Sequence, residues 1–195
     1  MRKGVATLIL ACCLFGGRAL ALGGDFTLTG DDGSRYSLSD SRGKVVILDF
    51  GYTFCPDICP TALANIAAAL NGLGDAAKQV DALFVSLDPD RDTPEVLHGY
   101  TRFFHPQIRG LTGDAKTLDK VAKAYHVRYN FVGKGSDQYY TMDHSAQVYV
   151  IDRQGRLVQM VPHGLPPQAL TDILRKTLAI KPLPAKTAGE VKATR

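Results

Sequence analysis

The stretch KVVILDFGYTFCPDICPTALANIAAALNGLG, residues 44–74, changes character twice. Residues 44–50 form a nearly unbroken apolar run of strand length, rich in β-branched side chains, the pattern of a strand buried on both faces. Residues 61–74 have the composition of a helix and end at a glycine stop. Between them stand Cys55 and Cys59, each followed by proline. Deep inside a helix, the Pro60 ring would clash with the carbonyl of Pro56, so Pro60 is expected in the first turn of a helix beginning near Thr61. Both cysteines then occupy a tight loop at a helix N-terminus, where the dipole and free backbone N–H groups favour thiolate over thiol.

Working outward, FTLTGDDGSRYSL (26–38) alternates around an Asp-Gly turn and predicts a hairpin ahead of the buried strand. VDALFVSLD (80–88) is a second buried strand, so strand, helix and strand make a right-handed crossover. Thr93 and Pro94 mark the cap and first residue of a helix that runs into PEVLHGYTRFF, and residues 114–125 make another. VRYNFV and QYYTMDHS flank a glycine-rich turn, AQVYVID and RLVQMV form a hairpin across Arg153-Gln154-Gly155, and residues 166–178 close the domain as an amphipathic helix. The expected class is α/β: a central mixed sheet flanked by helices, with an N-terminal β-hairpin. A first buried strand that hands a cysteine pair to a helix start makes this a thioredoxin-like fold.

Residues 1–21 combine a basic start, a short apolar run and the small-x-small pattern Ala19-Leu20-Ala21, which reads as a secretory signal. Ile9-Leu10-Ala11-Cys12 also loosely resembles a lipoprotein box, and an uncleaved anchor is a third reading. Each of these places the folded part outside the cytoplasm, in a periplasm, with membrane association only through the N-terminus. Cleavage removes Arg2, Lys3 and Arg18 and leaves a nearly neutral chain, so the pI near 8.9 is no argument for nucleic-acid binding. Residues 22–180 are expected to be one domain, and the Pro/Ala/Lys-rich residues 181–195 a disordered tail.

Three uses of the pair compete. A structural disulfide over so few residues removes little unfolded-state entropy from a chain that has its own core. A dithiol redox centre fits the thiolate-favouring loop, although thioredoxin-type pairs have two intervening residues and this one has three. A metal site would need more ligands: a structural zinc site wants four, from a second Cys or His pair, and the only other cysteines are Cys12 and Cys13 in the signal, whereas two thiolates and an imidazole suit Cu(I). Of the five histidines, His98, His105, His126 and His163 lie in helices, at helix ends or in a loop. His144 sits just before the strand whose entry loop should face the cysteine helix, and the residues alone leave it balanced against the other four together. Met142 is a possible thioether donor but fits the core equally, and Asp143 is either a supporting group or a turn residue.

The ordered motifs GYTFCPDICPTAL, SLDPDRDTP and DHS resemble the Sco/SenC family, copper-handling proteins that assist assembly of the copper-A centre of cytochrome c oxidase. The resemblance runs over residues 25–178. It implies copper ligands at Cys55, Cys59 and His144, copper as cargo, the oxidase copper-A subunit as partner, and a copper donor protein upstream. Phe54 stands where many relatives have histidine. The alternative carried with this reading is a thiol–disulfide reductase that keeps the oxidase's copper-site cysteines reduced, with Cys55 and Cys59 as its redox pair. Asp88, Asp90 and Asp92 match a family motif to which no role is assigned; turn and cap chemistry accounts for Asp90.

Overall fold

A computed structural model describes residues 22–135 and 139–180. The segments read as a signal (1–21) and as a tail (181–195) lie outside the described residues. The elements run β1 (Thr27–Gly30), β2 (Arg35–Ser37), β3 (Val45–Gly51), α1 (Ile58–Leu73), β4 (Val80–Ser86), α2 (Pro94–Phe104) and β5 (Ile108–Thr112). They continue as α3 (Ala115–Ala124), β6 (Tyr129–Val132), β7 (Thr141–His144), β8 (Gln147–Ile151), β9 (Leu157–Pro162) and α4 (Pro167–Ala179). Seven strands form one mixed sheet in the order β2-β1-β5-β4-β3-β8-β9, and β6 with β7 forms a separate two-stranded ribbon. The β3–β4 and β4–β5 pairs are parallel, as crossovers through α1 and α2 require.

β3 is the middle of the molecule, and all seven of its residues are buried. Successive side chains point to opposite faces. Phe50 meets the ring of Tyr125, just past α3, at 5.6 Å, while Gly51 abuts Cys59 on α1. Helices therefore cover both faces, as expected for the thioredoxin-like fold. α1 turns Cys59, Leu63, Ile66, Leu70 and Leu73 into the core, and α4 packs along it, with Arg175 Nη2 donating to the Gly72 carbonyl at 2.7 Å. Thr93 accepts from the Val96 N–H at 3.3 Å and Pro94 occupies the first turn of α2, so the predicted cap is formed.

Two expectations need correction. The cysteine helix begins at Ile58, not near Thr61, so Cys59 and Pro60 lie in its first turn. Pro60 is tolerated there because first-turn N–H groups have no intrahelical partner, and the carbonyl four residues back belongs to Pro56, which precedes the helix. β5 was not anticipated: in IRGLT, Arg109 and Gly110 interrupt the apolar run. Gly110 is there for contact, since a Cβ on it would stand 2.8 Å from the Leu97 Cβ of α2. β5 also gives the N-terminal hairpin its place, pairing antiparallel with β1 at the sheet edge.

Candidate metal centre

β3 ends at Gly51, the chain turns through Tyr52–Asp57, and α1 rises with Cys59 on its inner face. A Cβ at Gly51 would lie 2.7 Å from Cys59 Sγ and 2.9 Å from the Phe84 ring, so only glycine leaves room for this thiol. Cys59 Sγ is 3.3 Å from His144 Nε2. The Cys55 and Cys59 sulfurs and a His144 ring nitrogen all lie within 4.8 Å of one another, and they form the one group of three His, Cys, Asp or Glu residues among the described residues that could hold a metal ion. Both thiols are free and buried, at 8% and 2% exposure, and His144 is half-buried on the rim.

The two thiols are not equivalent. The Cys55 sulfur accepts from the Cys59 thiol and from backbone N–H groups at the start of α1, that of Cys59 at 3.4 Å. These hydrogen bonds outweigh burial and lower its pKa to about 4. The same hydrogen bond to Cys55, with burial, drives Cys59 far upward, so the pair holds one proton, on Cys59. His144 Nδ1 lies 3.0 Å from the Ser145 carbonyl. A carbonyl only accepts, so Nδ1 carries the hydrogen and Nε2 turns its lone pair toward the sulfurs, the tautomer a metal ligand needs.

Sequence reasoning named these three residues, Met142 and the Asp88–Asp92 motif, but neither Tyr52 nor what the motif holds. Tyr52 Oη accepts from the Met142 N–H at 3.1 Å, and its ring stands edge-on to the imidazole at 6.0 Å. Met142 itself is buried at 5% exposure, and Asp143 faces solvent. Asp92, with no exposure, accepts from Thr53 N at 3.0 Å, Thr53 Oγ1 at 2.6 Å and Ser86 Oγ at 2.5 Å, which ties the cysteine loop to the end of β4. Asp88, equally buried, pairs with Arg91 and accepts from Tyr140 Oη at 2.6 Å. Asp90 pairs with Lys134, at the surface. The remaining histidines stay away from the thiols or at the surface. His98 is 3.7 Å from Asp31, His105 ends α2, His126 follows α3 with φ 54°, and His163 is exposed in the loop after β9.

Asp49 was passed over in the sequence, although it is the one charged residue of β3. It lines a small cavity of about 30 Å³ shared with Cys59, His144 and the apolar inner side of α1. Among the described residues its Oδ2 has no hydrogen-bond partner, and burial raises its pKa to about 8. The folded chain therefore keeps a proton that the unfolded chain gives up near 3.8, and stability is lost as pH rises between those values. Asp49→Asn, neutral throughout, should flatten that decline. Thermal unfolding of reduced, metal-free protein at pH 5 and pH 8 measures it, and an unchanged difference between the two midpoints would contradict the burial argument.

A match to the SCO1/SenC family spans residues 17–179. The chain is 38% identical over 153 residues to the mitochondrial SCO1 homolog 1 of Arabidopsis thaliana, which takes in 78% of this chain and 46% of that protein. It thus spans about half the length of that relative. Among solved structures, Bradyrhizobium japonicum ScoI with copper bound is 39% identical with a TM-score of 0.75, covering 81% of this chain and 100% of that one. Yeast Sco1 with copper bound is 32% identical with a TM-score of 0.77, covering 85% and 92%.

Proposed function

This chain belongs to the SCO1/SenC family, and from that premise we propose that it binds copper through Cys55, Cys59 and His144 and delivers it to the copper-A subunit of cytochrome c oxidase. The observation that carries the reading is the imidazole Nε2 turned to 3.3 Å from Cys59 Sγ. A soft monovalent ion accepts two thiolates and one nitrogen in a plane, and such a site remains open enough for cargo to leave by ligand exchange. His144 on the rim, on a ribbon separate from the main sheet, gives the incoming ligand a side from which to enter. A copper donor protein supplies the cargo. The basic start and small-x-small end of residues 1–21 support export to a periplasm, whether the segment is cleaved, lipidated or kept as an anchor. Among the described residues, no helix is long and apolar enough to cross a membrane.

The test is titration of the reduced chain with Cu(I) against a chelator under anaerobic conditions. One equivalent is expected. Stoichiometric binding that survives loss of both cysteines would overturn the assignment. A second reading, a thiol–disulfide reductase for the oxidase's copper-site cysteines, draws on the lowered pKa of Cys55 beside a second thiol. Disulfide exchange has no use for an imidazole aimed at the thiols, so His144 favours copper transfer as the main activity.

A further inference from the structure

We propose that the loop of residues 88–93, whose motif the copper reading leaves unused, is a clamp that sets the register of the His144 ribbon over the thiols, with Arg91 as its positioning residue. The inference rests on the copper-site reading for its purpose and on the fold for its geometry. Among the described residues, β6 and β7 pair only with each other. A two-stranded ribbon is marginal by itself, and no ladder to the main sheet fixes where it lies. The short link Ser145-Ala146, whose Ala146 carbonyl accepts from the His163 N–H at 3.0 Å, holds the ribbon's His144 end, and side chains must hold the rest. Along β7 and the residue before it, Tyr140, Met142 and His144 share one face, of which the first two are buried, while Thr141 and Asp143 face solvent. A slip of one residue would turn His144 outward and present Asp143 to the thiols.

Arg91 stands where that slip would begin. Its Nε donates to Asp88 Oδ2 at 2.6 Å and its Nη1 to the Tyr140 carbonyl at 2.9 Å. The guanidinium carbon lies 3.6 Å from the centre of the Tyr140 ring, 4.6 Å from that of Phe54 and 5.7 Å from that of Tyr52. One planar cation thus touches the ribbon and both residues flanking Thr53 in the cysteine loop. Asp88 completes the grip by taking the Tyr140 hydroxyl, and the Met142–Tyr52 hydrogen bond pins the next residue on the same face. Planarity matters here: a lysine would keep the charge opposite Asp88 and lose both the stacking and the second hydrogen bond.

Arg91→Lys is therefore the variant of choice, because Arg91→Ala would strand a buried carboxylate and endanger the fold. Two readouts separate positioning from general weakening. In the reduced, metal-free protein, amide exchange over residues 139–144 should accelerate on the order of tenfold or more, while residues 147–151 of β8 keep their protection. Cu(II) affinity should fall by about 10- to 100-fold, and the same substitution in a His144→Ala background should change it no further, since the effect acts through that imidazole. Unchanged exchange at 139–144, equal acceleration at 147–151, or an undiminished loss in the His144→Ala background would each overturn the clamp. If wild-type protein takes up no copper, the copper reading fails by itself, and amide exchange alone decides for or against the clamp.

Discussion

Replacing Cys55 or Cys59 with alanine is expected to lower Cu(I) affinity on the order of 10³-fold or more, about 4 kcal/mol. Either change removes one of two soft anionic ligands from a site with a single nitrogen behind them, and no further cysteine lies among the described residues to replace it. The wild-type pH dependence carries the sharper test. Cys55 is already ionised above about pH 5, because its sulfur is held by the Cys59 thiol and by N–H groups at the start of α1. Cys59 stays protonated for the complementary reason. Copper then displaces one proton, and apparent affinity should rise about tenfold per pH unit between pH 7 and 8.5. Two ordinary thiols would release two protons and give a slope nearer a hundredfold. Anaerobic chelator competition across that range distinguishes them. A slope of two would mean that the helix start does not stabilise the Cys55 thiolate, even if the ligand set is right.

How far the chain could be read without coordinates follows from what each residue depends on. β3, α1 and β4 announce themselves through local period and composition, because a strand buried on both faces and a helix packed on it leave apolar signatures in consecutive residues. The two cysteines are legible for the same reason, lying on the connection between those elements. His144 needed topology, since its meaning comes from 85 residues away, and position alone left it level with four other histidines. Asp88, Arg91 and Asp92 were less legible still. Their local sequence is fully explained by a turn and a helix cap at Thr93, and nothing local says that their side chains reach Thr53 and Tyr140. The start of α1 was set three residues late: Pro60 belongs to the first turn as expected, but as its third residue, with Ile58 and Cys59 ahead of it. β5 failed because Gly110 serves a tertiary contact with Leu97 at the expense of strand propensity.

His144→Ala should divide the two oxidation states of copper. Cu(I) is soft and accepts linear coordination, so Cys55 and Cys59 alone can retain it, and a loss on the order of tenfold is expected from removal of one neutral ligand, about 1.4 kcal/mol. Cu(II) favours nitrogen donors and a tetragonal arrangement, and among the described residues no second imidazole joins the three-residue group that would replace His144. Its affinity should fall on the order of 10³-fold, about 4 kcal/mol, with loss of nitrogen hyperfine structure from the electron paramagnetic resonance spectrum. The fold should be indifferent to the change. His144 is half-buried on the rim; its ring meets Cys59 Sγ at 3.3 Å and the Tyr52 ring edge-on, but the Met142–Tyr52 hydrogen bond and the buried Tyr140 and Met142 side chains still hold the ribbon when it is removed. A midpoint of thermal unfolding close to that of wild type would therefore accompany the lost Cu(II) signal. The same variant arbitrates between the two functions. If a strain carrying His144→Ala assembles its oxidase normally while Cys55→Ala and Cys59→Ala strains fail, the thiols act as a reductant and the imidazole is incidental. If all three fail, and added copper rescues the His144→Ala strain better than either cysteine strain, the site is a copper carrier whose nitrogen ligand governs loading.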